Sequence, residues 1–155
     1  MYINLTYKLA GTGWSECTVR DDSGSECMVT ASYLSDALGK LVLSALAIGS
    51  GFSGASFAFD EEPGEYRWVI GQIDVNLVRI NILSFPELWG GKPNDQGQLL
   101  FSTTCRPIVF AAEVLRVASE LLEKHGEDGY LEQWVEHPFP MRQLALLREL
   151  VERLQ

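Results

Sequence analysis

The strongest constraint on the fold comes from residues 33–48, a helical segment that is apolar around nearly its whole circumference. Its apolar positions are Leu34, Leu38, Leu41, Val42, Leu43, Ala45, Leu46 and Ile48. Because a helix that is apolar on most sides is buried on most sides, we expect it to lie between a sheet and a second layer of helices, or in the interface of a homodimer. Ser32 is the predicted N-cap of this helix, and Gly49 is the predicted residue just after its end.

Residues on the N-terminal side of this helix alternate between apolar and polar, which is the pattern of half-buried strands. Turn signals separate three such runs, which predict an antiparallel meander with strands at residues 3–9, 14–20 and 27–31. A hairpin centred near Asp22 would place Cys17 opposite Cys27, a geometry that allows a disulfide. The chain has 3 cysteines, an odd number, and two buried free thiols are the expected state in a reducing cytosol.

Further strands and then helices follow the apolar helix. They are expected as about four strands at residues 55–60, 66–70, 74–83 and 99–104, and helices at residues 107–125, 128–136 and 141–154. Strands that come in runs, rather than alternating with helices, indicate the α+β class. We therefore predict a single domain over residues 1–155, in which an antiparallel sheet carries the C-terminal helices on one face.

The charge balance excludes several classes of partner. The chain has 21 acidic and 12 basic residues, a formal net charge of −9. This balance argues against binding to nucleic acid or to anionic lipid, since both depend on lysine and arginine. The N-terminal residues lack the basic and apolar regions of a signal peptide, and no apolar run approaches the roughly 20 residues of a membrane helix. The sequence therefore indicates a soluble cytoplasmic protein, with no sign of a cofactor or a metal site.

One predicted turn is strongly acidic. Asp60, Glu61, Glu62 and Glu65 surround a Pro-Gly pair, so we expect them to lie in an exposed turn and to stay ionised. Ionised carboxylates in such a place are poorly suited to acid–base catalysis, which needs one of them buried. They are better suited to steering a protein partner with a basic surface.

A second candidate for binding is an aromatic residue in a loop. Trp89 lies within residues 84–98, a loop rich in glycine and proline that connects two predicted strands. An exposed tryptophan in a loop is a candidate contact residue of a protein interface. The same ring could instead fold back and cover the core, as happens in Ω-loops. Both interpretations remain open from the sequence.

The sequence also offers one candidate nucleophile. Cys105 precedes a helix that begins near Pro107, and Arg106 is its neighbour. A helix N-terminus and a cation each lower the pKa of a thiol. A catalytic cysteine also needs a base, and the sequence places neither His125 nor His137 beside it. A structural cysteine at the end of a strand is therefore the simpler interpretation.

A second candidate for catalysis lies within residues 125–137. Asp128, Glu132 and Glu136 would share one face of a helix, with His125 and His137 at either end. Such a face could hold a divalent metal, but the spacing is not that of a known metal motif. A solvated acidic face is the expected structure, and we assign no metal ligand.

Three segments stand out in the sequence, namely residues 32–38 (SYLSDAL), 63–68 (PGEYRW) and 134–140 (WVEHPFP). Together they resemble a family of small bacterial proteins that has no assigned activity. The resemblance transfers no catalytic motif, and it implies a toxin-immunity protein or another partner-binding protein. The leading hypothesis is a soluble bacterial partner-binding protein without catalytic activity, in which the acidic turn and Trp89 meet a basic protein surface. The alternative is a small hydrolase or thiol-dependent enzyme that uses Cys105 or the segment 125–137.

Overall fold

Antiparallel strands and helices account for most of residues 2–155, the part of the chain that the structure, a computed structural model, describes. The strands are β1 (Ile3–Leu9), β2 (Trp14–Asp21), β3 (Glu26–Ser32), β4 (Gly54–Asp60), β5 (Glu65–Asp74), β6 (Leu77–Phe85) and β7 (Gln98–Cys105). The α-helices are α1 (Ala37–Gly49), α2 (Pro107–Trp134) and α3 (Met141–Leu154). The predicted α+β class is confirmed.

The strands divide between two antiparallel sheets, with the orders β1-β2-β3 and β4-β5-β6-β7. Helix α1 connects the two sheets and packs against α2, α3 and β4. Its side chains of Leu38, Leu41 and Ala45 are fully buried. Most of the apolar surface of this helix is therefore covered within one chain, by a strand on one side and two helices on the other. Leu43, by contrast, is 53% exposed.

Helix α1 begins later than the sequence predicted. Ser32 is the last residue of β3, where it pairs with Trp14, so its backbone belongs to the sheet. The N-cap is Asp36, whose Oδ1 accepts from the backbone N–H of Gly39 at 3.1 Å. The predicted N-cap was wrong because serine and aspartate are equally good capping residues and the local sequence does not choose between them. At the other end, Gly49 is still helical and Gly51 adopts the left-handed conformation, with φ of 98°.

The two N-terminal cysteines are not opposite each other. Cys17 pairs with Val29, and Cys27 pairs with Val19. The hairpin is centred at Ser23, one residue later than predicted, since the side chain of Asp21 accepts hydrogen bonds from the backbone N–H groups of the turn. The predicted direct opposition was therefore wrong by two positions along the facing strand, because a shift of the hairpin centre by one residue moves each pairing by two. Both thiols are free and buried.

An ion pair on α2 covers the free edge of β1. The backbone N–H of Leu5 donates to Oε2 of Glu113 at 2.9 Å, and Nη2 of Arg116 donates to the carbonyl oxygen of Leu5 at 2.6 Å. Nη2 of Arg116 also lies 2.8 Å from Oε2 of Glu113. Since an uncovered strand edge is a site of unwanted pairing, this contact both protects β1 and fixes α2 against the three-stranded sheet.

The C-terminal helices agree closely with the prediction. Helix α2 is interrupted at Gly126, where φ is 69°. The sequence predicted that one helix ends at this glycine and that a second begins shortly after it. The second part carries the buried residues Tyr130 and Trp134. The ring of Phe139 meets that of Tyr130 edge-on, with centroids 5.3 Å apart. This contact joins the end of α2 to the start of α3.

Candidate functional site

The candidate site lies at one end of the four-stranded sheet, where two of its connections meet. One is the turn between β4 and β5, which the pair Asp60 and Glu65 closes. The other is the long connection between β6 and β7, residues 86–97. The backbone N–H of Leu88 donates to the carbonyl oxygen of Pro63 at 2.8 Å and joins the two. The predicted acidic turn and the predicted aromatic loop are therefore neighbours.

The side chain of Trp89 is both exposed and fixed. It is 73% exposed, and its indole N–H donates to Oδ2 of Asp60 at 3.3 Å. Asp60 is only 5% exposed, so the ring is tied to a buried group. The ring does not fold back onto the core, which was the other interpretation of this loop. Trp89 also has a φ of 54°, a left-handed conformation that is uncommon for a bulky residue and that the surrounding loop must impose.

The four carboxylates of the acidic turn divide into two kinds. Asp60 and Glu65 are buried, whereas Glu62 is exposed and Glu61 is half-buried. Asp60 holds Trp89, and Oε2 of Glu65 lies 3.7 Å from Nε of Arg67. The expectation that all four lie in solvent was therefore wrong for two of them, because Asp60 binds a group of the neighbouring loop and Glu65 pairs with an arginine of its own strand.

The accessible part of the site combines one aromatic ring with three acids that lie on the same two joined connections. Glu87 belongs to the same loop as Trp89 and is exposed. Its Oε2 lies 3.9 Å from the position that a Cβ atom would occupy on Gly90. We call the side chains of Glu61, Glu62, Glu87 and Trp89 the Trp89 surface.

Arg67 organises the loop that carries this surface. Its Nη1 donates to the carbonyl oxygen of Lys92 at 2.7 Å and to Oδ1 of Asn94 at 2.9 Å. Its guanidinium lies 4.0 Å from the centre of the Phe85 ring. Charged hydrogen bonds and a cation–π contact on one side chain hold both ends of the loop. This role of Arg67 was not predicted from the sequence. Arg67 points away from the core, on the face of β5 opposite to that of the buried Trp68.

Close packing also limits which residue can occupy the turn between β4 and β5. A Cβ atom on Gly64 would lie 2.3 Å from the carbonyl oxygen of Phe85, a distance that no real contact permits. Glycine therefore allows the turn to approach the end of β6. The approach is what brings the acidic turn beside residues 86–97.

The environment of Cys105 does not activate its thiol. Cys105 is the last residue of β7 and is fully buried. Burial raises the pKa of this thiol to about 11, although a hydrogen bond from the backbone of Phe110 in the first turn of α2 acts to lower it. The predicted lowering of this pKa was wrong because burial outweighs the effect of the helix N-terminus. Within residues 2–155 no histidine side chain forms a hydrogen bond with this sulfur.

The acidic segment near residues 125–137 does not form the three-carboxylate face that the sequence predicted, although His125 and Glu132 line one shallow cavity. Helix α2 ends at Trp134, so Glu136 does not continue the helical face of Asp128 and Glu132, both of which are exposed. Burial and the charge of Lys124 lower the pKa of His125. Across the described residues, no three His, Cys, Asp or Glu side chains are arranged to hold a metal ion.

A half-enclosed cleft of about 380 Å³ lies at the other end of the four-stranded sheet. Its walls include Phe52 and Leu77, and its polar groups come from Gln72, Asn76 and Arg106. Of the described residues that line it, Arg106 alone is charged. The cleft therefore brings no nucleophile together with a base, which an enzyme of the predicted kind would require.

The remaining acidic segments lie far from one another. The turn at Asp21 is at one end of β2. The segment that includes Asp128 lies beside the turn at the other end of this strand. There the backbone N–H of Gly13 donates to the carbonyl oxygen of Gln133 at 2.8 Å. A strand of 8 residues separates them, which is about 25 Å. The net charge is therefore distributed over the molecule.

No helix within residues 2–155 is long and apolar enough to cross a membrane. Comparisons with protein-family models, with curated proteins and with solved structures found no match.

Proposed function

We propose that this chain is a soluble, cytoplasmic bacterial protein that binds another protein through the Trp89 surface and catalyses no reaction. One observation carries the proposal: an indole ring that is 73% exposed is held in place by the buried carboxylate of Asp60. A fixed aromatic side chain loses little conformational entropy on binding. Tryptophan is also among the residues that contribute most to the binding free energy of protein interfaces.

The charge of the surface supports a basic partner. Glu61, Glu62 and Glu87 form no ion pair with any of residues 2–155, so their charges are available to a partner. Complementary charge accelerates association and selects among partners. A toxin with a basic surface, neutralised by an immunity protein, is the partner class that the sequence resemblance favours.

The alternative, a small hydrolase or thiol-dependent enzyme that uses Cys105 or the segment 125–137, has weaker support. Its candidate nucleophile, Cys105, is buried, and burial raises its pKa to about 11. A nucleophilic cysteine needs the opposite shift.

The proposal is tested by affinity capture from a lysate of the organism that encodes the chain. The bait is the full chain as wild type, Trp89→Ala, the double charge reversal Glu61→Lys/Glu62→Lys, and the control Phe52→Ala. Phe52 is a matched control because it is also an exposed aromatic residue, 66% exposed, but lies at the opposite end of the four-stranded sheet. Circular dichroism verifies that each variant is folded.

The expected result is one protein that wild type and Phe52→Ala capture and that the other two variants lose. With this protein purified, calorimetry should show a Kd at least about tenfold weaker for Trp89→Ala. Undiminished capture by Trp89→Ala and by the charge reversal, or no capture by wild type at low salt, would overturn the proposal.

A further inference from the structure

We infer that the Trp89 surface receives an arginine side chain of its partner, with the guanidinium stacked on the indole ring of Trp89 and paired with the carboxylates beside it. This inference rests on the proposed function and specifies its chemistry. It follows from three features of the site, namely the orientation of the ring, the local balance of charge, and an internal contact of the same kind.

The orientation of the ring leaves its π faces for a partner. The polar edge of the indole is already engaged, since its N–H donates to Asp60. A side chain that is 73% exposed must then present mainly its faces and its hydrocarbon edge to solvent. Tryptophan faces attract cations more strongly than those of other aromatic residues. Donation of the N–H to a carboxylate places further negative charge next to the ring.

The local charge balance favours a cation over a neutral ligand. Residues 60–67 and 86–97, which include the two joined connections, contain six carboxylates and two cations. One of these cations, Arg67, is already engaged by Glu65, by two loop acceptors and by the ring of Phe85. A guanidinium from a partner would therefore meet an excess of negative charge close to the ring.

The chain itself contains the arrangement that we infer for the complex. Arg67 combines a stacking contact of 4.0 Å on the Phe85 ring with a carboxylate of Glu65 at 3.7 Å. Trp89 and Glu87, on the loop that Arg67 holds, present the same two groups, a ring and a carboxylate, to solvent. Arginine fits them better than lysine because its planar group can stack on the ring while its N–H groups reach the carboxylates.

The test uses short blocked peptides of sequence Gly-X-Gly, in which X is arginine, lysine, citrulline or glutamate. Citrulline keeps the shape of arginine and removes its charge. Each peptide is titrated into the full ¹⁵N-labelled chain, and the indole N–H signals of Trp89 and Trp14 are followed by NMR. Trp14 is an internal control because it is 39% exposed and lies on the other sheet.

The arginine peptide should shift the Trp89 signal and leave that of Trp14 in place. Its apparent Kd should be about fivefold lower than that of the citrulline peptide. The double substitution Glu62→Gln/Glu87→Gln should weaken binding of the arginine peptide by a similar factor. Trp89→Leu keeps an apolar side chain but removes the ring. In this variant the shifts of the neighbouring loop amides should no longer show a preference for the arginine peptide over the citrulline peptide. Trp14→Leu should preserve that preference.

Equal binding of the arginine and citrulline peptides, equal binding of the lysine peptide, or equal shifts at Trp14 would overturn the arginine assignment. These outcomes differ from a failure of the proposed function. If Trp89→Ala loses the captured partner while the peptides show no preference for arginine, protein binding stands and only the chemistry inferred here is wrong. If Trp89→Ala still captures the partner, the proposed function itself fails.

Discussion

The side chains of Asp60 and Trp89, 29 residues apart in the sequence, are joined by one hydrogen bond of 3.3 Å. This bond links the turn between β4 and β5 to the connection between β6 and β7. It gives a buried carboxylate a positioning role that its neighbours Glu61 and Glu62 do not have. An acidic turn that would otherwise only add charge to the surface thereby fixes the direction of an aromatic side chain.

Removal of this hydrogen bond should increase the mobility of the Trp89 ring. We expect Asp60→Ala to lower the ¹H–¹⁵N heteronuclear NOE of the Trp89 indole, because its N–H then bonds only to water. The free energy of unfolding should fall by about 1 kcal/mol. Glu62→Ala is the matched control, since it removes an exposed carboxylate from the same turn. An unchanged indole NOE in Asp60→Ala would show that the bond does not restrain the ring.

Arg67 should control the order of the whole loop. In Arg67→Ala the loop loses two charged hydrogen bonds and the contact on Phe85, and we expect a destabilisation of about 2 kcal/mol. Glu-C protease, which cleaves after glutamate, should then cut the native chain faster at Glu87. Arg79→Ala removes an exposed arginine from the adjacent strand and should leave the cleavage rate at wild-type level. Equal rates for both variants would contradict the assigned role.

A methyl group on Gly64 should separate the turn from the end of β6. The added Cβ would lie 2.3 Å from the carbonyl oxygen of Phe85, so we expect Gly64→Ala to lower the free energy of unfolding by about 1–3 kcal/mol and to shift the Trp89 indole signal. Gly71→Ala is the control, because nothing lies within 4 Å of a Cβ at that position. Urea denaturation of both variants checks the expectation, and equal stabilities would refute it.

The sequence was a good guide to the elements and a poorer one to their assembly. Helix α3 lies where its apolar stripe predicted it, at Met141–Leu154, because an amphipathic pattern determines both the type and the extent of a helix. The division into two sheets was not predicted. The alternation of apolar and polar residues indicates which face of a strand is buried. It does not indicate which other strand pairs with that strand.

The candidate site was only partly readable from the sequence for a related reason. In an antiparallel order, the turn after β4 and the connection after β6 lie at the same end of the sheet, so their proximity could have been inferred. The burial of Asp60 and the role of Arg67 could not, because both depend on which side chains of distant segments meet. Composition alone makes Asp60 and Glu62 equivalent, and only their three-dimensional contacts distinguish them.

Glu113 should contribute stability that is lost on acidification. Burial acts to raise the pKa of Glu113, but hydrogen bonds from Arg116 and from the backbone of Leu5 outweigh it, so that the pKa lies below its ordinary value of 4.5. Because the pKa is lowered in the folded state, the stabilisation by ionised Glu113 is complete above the ordinary value of 4.5. It disappears as the pH falls through the folded pKa. We expect Glu113→Gln to be about 1 kcal/mol less stable than wild type at pH 7.

This difference should shrink as the pH falls below 4.5 and on through the lower folded-state pKa, because wild type then loses its own ionised carboxylate. Urea denaturation across this range gives the measurement. Glu120→Gln serves as the control, since Glu120 also pairs with Arg116 but its side chain is 63% exposed, and it should differ little from wild type at any pH in this range. A difference for Glu113→Gln that is constant with pH would be inconsistent with the lowered pKa.

The reactivity of the cysteines separates the binding function from the thiol-enzyme alternative. Burial raises the pKa of Cys17 to about 12 and that of Cys105 to about 11, and it also raises the pKa of Cys27. At pH 8 each thiol is therefore almost fully protonated as well as inaccessible, and the thiolate is the reactive form. We expect the native chain to react with a disulfide reagent such as DTNB far more slowly than glutathione does, and all three thiols to react at once in 8 M urea. One fast equivalent in the native chain, abolished by Cys105→Ser, would instead identify an activated thiol and favour the enzyme.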